Sequence, residues 1–140
     1  LKVMTDEEKS DAQPSEPVAA PEPAPHAIRE KTDAMKRALD EWVAHRRYVL
    51  NDQTIDGIAA DLGFDRFFFA WYFTNELHTT FRTWRTELRI KEAQRLLSEE
   101  DAAVASLHLK VGISDKSNFY KHFKAHTGMT PTEYKKSAQK

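Results

Sequence analysis

From Thr32 onward, apolar residues recur at helical spacing and keep doing so to the C-terminus. Met35, Leu39, Trp42 and Val43 fall at i, i+4, i+7 and i+8 behind the capping pair Thr32-Asp33, which predicts a first helix broken at Asn51-Asp52-Gln53. Thr54 then caps a short helix with Ile55, Ile58, Ala59 and Leu62 on one face, closed by Gly63. Asp65 opens the next, running to about Leu77, and Thr80 opens a longer one over 80–98 with Trp84, Leu88, Ala93, Leu96 and Leu97 facing inward. Asp101 is expected to cap a helix reaching Val111 before Gly112, and Ser114 to cap "SDKSNFYKHFKAHTG". Thr130-Pro131-Thr132-Glu133 combines a capping box with proline at the first helical position. No stretch alternates with strand period, so the expected fold is all-α with about seven helices.

The pattern also repeats. At an offset of 49 residues "TIDGIAADLGF" (54–64) lies over "AVASLHLKVGI" (103–113), pairing Ile58 with Leu107 and Gly63 with Gly112. One extra residue, Ser114, moves the offset to 50, after which Asp65 meets Asp115, Phe69 meets Phe119, Phe73 meets Phe123 and Thr80 meets Thr130. One supersecondary unit is used twice. Each copy is a short helix, a glycine turn and a second helix whose outer face the core does not need. That is the helix-turn-helix pattern, whose second helix can enter a major groove.

Composition and charge sharpen the picture. Residues 1–31 hold five of the six prolines and few large apolar side chains, which reads as a flexible tether or an appended overhang. The chain starts at Leu1 rather than Met, so a fragment of something longer is expected. Cysteine is absent, which excludes disulfides, thiolate metal sites and cysteine nucleophiles, and no run is long and apolar enough for a membrane span. Formal charge is −1, yet residues 81–140 carry twelve Lys/Arg against seven Asp/Glu while the remainder is acidic. The C-terminal half therefore has the basic bias that a polyanion partner requires.

The runs "TIDGIAADLGF", "FRTWRTELRIKEAQRLL" and "VGISDKSNFYKHFKAHTGMTPTEY" resemble the DNA-binding domain of the AraC/XylS family of bacterial transcription regulators, over roughly residues 34–137. The resemblance implies a domain over 32–140 with helix-turn-helix subdomains at about 54–77 and 102–127, joined by the helix at 80–98. It implies regulation of transcription through two recognition helices lying in adjacent major-groove segments of a double-stranded operator. A cytoplasmic setting follows, or the cytosolic part of a larger membrane-associated regulator. RNA polymerase is an expected partner and the isolated domain an expected monomer, while the tether at 1–31 and the start at Leu1 suggest an upstream sensing or dimerising part. No cofactor is expected.

In the second recognition helix the positions facing bases in that family fall on Lys116, Ser117, Tyr120 and Lys121, while Lys124 and Ser114 suit phosphates, as do the helix starts at Thr80 and Thr130. In the first, the matching base-facing positions are Arg66, Phe67, Ala70 and Trp71, unusually aromatic for the family. Either Phe67 and Trp71 meet thymine methyls while Arg66 anchors the site, or this face binds protein and the first motif has decayed; the former, with a reduced share of specificity, is the favoured expectation. His78 stands where the other half has Gly128, and His108 where it has the small Ala59, so a local adjustment is expected at both. His122 and His126 have metal-gripping spacing but no third ligand nearby and no HExxH glutamate. With no phosphate loop and no nucleophile elbow either, an enzyme is not expected.

Overall fold

The computed structural model describes residues 25–139. These form seven α-helices: α1 (Pro25–Ala44), α2 (Ile55–Leu62), α3 (Arg66–Asn75), α4 (Phe81–Glu99), α5 (Val104–Lys110), α6 (Lys116–Thr127) and α7 (Pro131–Ala138), with a 3-10 turn at Arg47–Val49. There is no strand among the described residues. They divide into two compact units. One comprises the residues through Arg47 together with Asp52–Thr83; the other comprises Tyr48–Asn51 and the chain from Trp84 onward.

The first unit is built on aromatic packing. Met35, Leu39 and Trp42 of α1, Ile55, Ile58 and Ala59 of α2, and Phe69, Tyr72 and Phe73 of α3 are buried together with Phe81. Phe81 sits 5.1 Å from Phe69, 5.5 Å from Phe73 and 5.7 Å from Trp42, in tilted and edge-on arrangements that suit the ring quadrupoles. A buried ring of this size contributes about 1.5–3 kcal/mol by leaving water, so these few residues carry much of the unit's stability.

The second unit closes around Ile90, Ala93 and Leu97 of α4, Leu107 of α5, Val111 and Ile113 of the turn, and Phe119 and Phe123 of α6. Tyr134 of α7 caps Phe123 edge-on at 5.6 Å. Arg89 is buried here and donates from Nε to Tyr48 O at 2.6 Å and from its terminal nitrogen to Leu50 O at 2.8 Å, pinning the 3-10 turn and the residue that follows it. Burial pushes the Arg85 guanidinium down to about 9, with the neighbouring Arg89 charge adding to the effect, and burial alone pushes Arg89 down to about 10.

Several boundaries differ from the sequence expectation. The helix expected to start at Thr32 starts at Pro25, so residues 25–31 belong to α1 and not to a tether; the remainder of the expected tether, residues 1–24, lies outside the described residues. Proline lacks an N–H that the first helical turn would leave unbonded anyway, so it begins a helix readily. Thr32 lies inside α1 and donates its hydroxyl to Ile28 O at 2.7 Å. The helix ends at Ala44, ahead of the expected break at Asn51, where Arg46 takes a positive φ of 54°. Asp101 does not cap α5. It has φ 50°, and its carboxylate accepts from Gln139 at 2.6 Å and pairs with Lys135 at 3.3 Å, while α5 begins after Ala103 with no side-chain cap. Ser114 is not the cap of α6; Asp115 is, accepting from Asn118 N at 3.0 Å.

Candidate nucleic-acid interface

In the first unit the turn between α2 and α3 is set by short-range chemistry. Thr54 Oγ1 accepts from Gly57 N at 3.0 Å, and Gly63 ends the helix in the left-handed region at φ 95°. Asp65 then caps α3 by accepting from Phe68 N at 2.9 Å. With Phe69 and Phe73 turned into the core, α3 presents Arg66, Phe67, Ala70 and Trp71 outward. Phe67 is half exposed, at 50%. Trp71 is half-buried because it stacks on Phe68 at 5.5 Å, and Phe68 in turn stacks on Phe64 at 5.6 Å beneath the Lys31 ammonium. Arg66 is the one basic side chain on α3; its guanidinium pairs with Asp56 of α2 at 3.3 Å and lies 5.1 Å from the Phe67 ring.

The second unit repeats the geometry with different chemistry. Gly112 takes φ 86°, and the turn is held twice at His108: Ile113 N donates to His108 O, and His108 Nδ1 donates to Ile113 O, both at 2.9 Å. The histidine expected to disturb this corner is thus buried and bonded into it. Phe119 and Phe123 are fully buried, leaving Lys116, Ser117, Lys121 and Lys124 exposed on α6 and Tyr120 half-buried against Phe119. Lys116 Nζ sits 6.0 Å from the Tyr120 ring. None of these three lysines has a carboxylate partner among the described residues. Four cationic or hydroxyl groups and one phenol therefore share a single outward arc.

Of the positions expected at phosphates, Ser114 and Lys124 are exposed. Thr80 and Thr130 spend their hydroxyl oxygens as helix caps, accepting from Thr83 N at 3.1 Å and from Glu133 N at 3.2 Å. The Glu133 carboxylate already accepts from Thr130 N at 2.9 Å, completing the expected capping box. The sequence reading missed Asp56 and the cap Asp115. A capping preference for aspartate at the residue before the first helical turn could have found the second; nothing local singles out the first.

Among the described residues no group of three or more histidine, cysteine or acidic side chains could hold a metal ion, and no helix is long and apolar enough to cross a membrane.

Comparison with known proteins agrees with this geometry. Residues 58–137, more than half of the chain, match the family described as "Helix-turn-helix domain". The melibiose operon regulatory protein of Escherichia coli K12 is 28% identical over 86 residues, covering 61% of this chain and 28% of that protein. The raffinose operon transcriptional regulatory protein RafR of Pediococcus pentosaceus is 31% identical over 84 residues, 60% of this chain and 30% of its own length. The chain thus spans about a third or less of these relatives. Among solved structures, the DNA-binding domain of the global transcriptional factor AdpA in complex with a target DNA superposes with TM-score 0.65 at 20% identity, over 76% of this chain and 93% of that one. An AraC-type regulator from Chromobacterium violaceum gives 0.64 at 24% identity, over 74% and 93%. The duplicated motif, the all-α architecture and these matches agree: the chain belongs to the AraC-type helix-turn-helix family of transcription-regulator DNA-binding domains.

Proposed function

We propose that this chain binds double-stranded DNA sequence-specifically and regulates transcription, with α3 and α6 lying in adjacent segments of the major groove. One observation carries the reading: α6 holds Lys116, Lys121 and Lys124, none paired with a carboxylate among the described residues, beside Ser117 and Tyr120 on one exposed arc. Lysine can donate to guanine O6 and N7, and hydroxyls donate or accept at any base edge. Lys124 and Ser114 suit the flanking phosphates, and Thr80 and Thr130 mark helix starts whose amides favour anions. On α3, Arg66 anchors the site while Phe67 and Trp71 meet thymine methyls across Ala70. A cytoplasmic regulator, monomeric as an isolated domain, with RNA polymerase and an upstream sensing or dimerising domain as partners, fits this role.

The half-exposed Phe67 supports a second reading, in which the aromatic face of the first motif binds protein and α6 alone reads DNA. Selection of binding sites from random-sequence duplex DNA separates the two. Two half-sites about 10 base pairs apart are the expected result, since that is one helical turn. A single short site favours the second reading, and no enriched sequence overturns DNA recognition altogether.

A further inference from the structure

The two motifs match position by position, but they hold their first outward side chain differently. In the first motif that residue is Arg66, whose guanidinium is gripped from two sides: Asp56 Oδ2 lies 3.3 Å from its terminal nitrogen, and the Phe67 ring lies 5.1 Å from its central carbon. In the second motif the corresponding residue is Lys116, and the position matching Asp56 is Ala105, which has no carboxylate to offer. One motif thus presents a planar fork in a set orientation; the other presents a flexible ammonium.

We propose that Asp56 is a positioning residue for base recognition: it presets the Arg66 guanidinium so that its remaining N–H groups meet the O6 and N7 of one guanine. This rests on the reading of α3 as a helix that engages DNA. The pair leaves both side chains partly exposed, at 39% for Arg66 and 44% for Asp56, so the guanidinium is open to a ligand while still held. An exposed pair of this kind does little for stability. A guanidinium whose rotamers are already restricted loses less freedom on binding, and its fork matches the two acceptors of guanine bidentately. Asp56 belongs to α2, and its carboxylate also repels a misplaced phosphate, so the pair favours the base over the backbone. The arrangement would give the largely aromatic α3 one well-defined polar contact.

The test compares the sites that the full chain, Asp56→Ala, Asp56→Asn, Arg66→Ala and the double variant Asp56→Ala/Arg66→Ala select from random-sequence duplex DNA. Circular dichroism and a denaturant midpoint report that each is folded. The full chain and Arg66→Ala identify the guanine that Arg66 reads. Asp56→Ala is expected to lower preference at that base pair by roughly threefold while leaving the others unchanged. Asp56→Asn, which retains an acceptor for Arg66, is expected to keep most of it, and Asp56→Ala is expected to have no further effect once Arg66 is gone. Unchanged preference in Asp56→Ala, or an equal loss at every position, overturns the assignment while leaving DNA recognition intact. If Arg66→Ala alters no base, Arg66 reads none and the assignment fails. If the full chain enriches no sequence, both the assignment and the DNA reading fail.

Discussion

At the scale of single residues, the two glycine turns look alike in sequence and differ in what surrounds them. A Cβ placed on Gly112 would come within 2.3 Å of Val49 O and 3.1 Å of the Arg89 guanidinium, whereas nothing lies within 4 Å of one placed on Gly63. Both have positive φ, so alanine at either suffers backbone strain of about 1 kcal/mol. Gly112→Ala adds a clash with backbone and is expected to cost roughly 3 kcal/mol, read as a shift in denaturant midpoint, against about 1 kcal/mol for Gly63→Ala. His78 offers the opposite case. It adopts φ 56° where the other half has Gly128 at φ 80°, so His78→Gly is expected to raise stability by about 1 kcal/mol in the same measurement. The mismatch of His78 with Gly128 was legible in the sequence, because it concerns one residue's own backbone. The crowding at Gly112 was not, because Val49 lies 63 positions away and only the folded chain brings its carbonyl there.

At the scale of elements, periodicity and cap residues located α2, α3 and α7 well, since each begins at an oxygen-bearing side chain that accepts from its own first turn, and placed the cap of α6 one residue early, at Ser114 instead of Asp115. Periodicity failed where polar residues are buried. Arg85, Arg89 and Glu92 lie on the inner face of α4, and a count of apolar positions passes over them in favour of Trp84, Leu88 and Leu96, which are half-buried. Arg89 enters that face because its fork satisfies carbonyls; Glu92 does because Arg95 grips both its oxygens, at 2.9 and 2.8 Å. Those two hydrogen bonds, with that to Glu100, hold the Arg95 pKa above its ordinary value. The outward faces of α3 and α6 differ in charge, with one basic side chain against three exposed lysines. Lys121→Ala is expected to weaken affinity for a selected operator more than Arg66→Ala does, each by about 1–3 kcal/mol in a titration at fixed salt. Equal losses would mean that α6 does not dominate.

At the scale of the whole molecule, a formal charge of −1 conceals a basic C-terminal half, and that distribution sets how binding responds to ions. If about 6 phosphates are neutralised, affinity for duplex DNA should fall roughly a thousandfold between about 50 and 200 mM salt. An apolar protein contact through the aromatic face of α3 would change little over the same range. Charge counted by region, not in total, pointed from the sequence to a polyanion partner. Which lysines stand clear of carboxylates was not legible, because Asp101 and Lys135 are far apart in sequence and meet only once α7 has packed.

The stacked Trp71 has an optical consequence. Its indole lies on the outer arc of α3, while Trp42 is buried and the third tryptophan, Trp84, is half-buried on α4; the position matching Trp71 in the second motif is Lys121, which does not fluoresce. Emission excited in the indole band is therefore expected to quench or shift when a duplex covers α3, and to stay constant when only α6 is occupied. Replacing Trp71 with phenylalanine should abolish that response. The first motif reports its own occupancy without a dye.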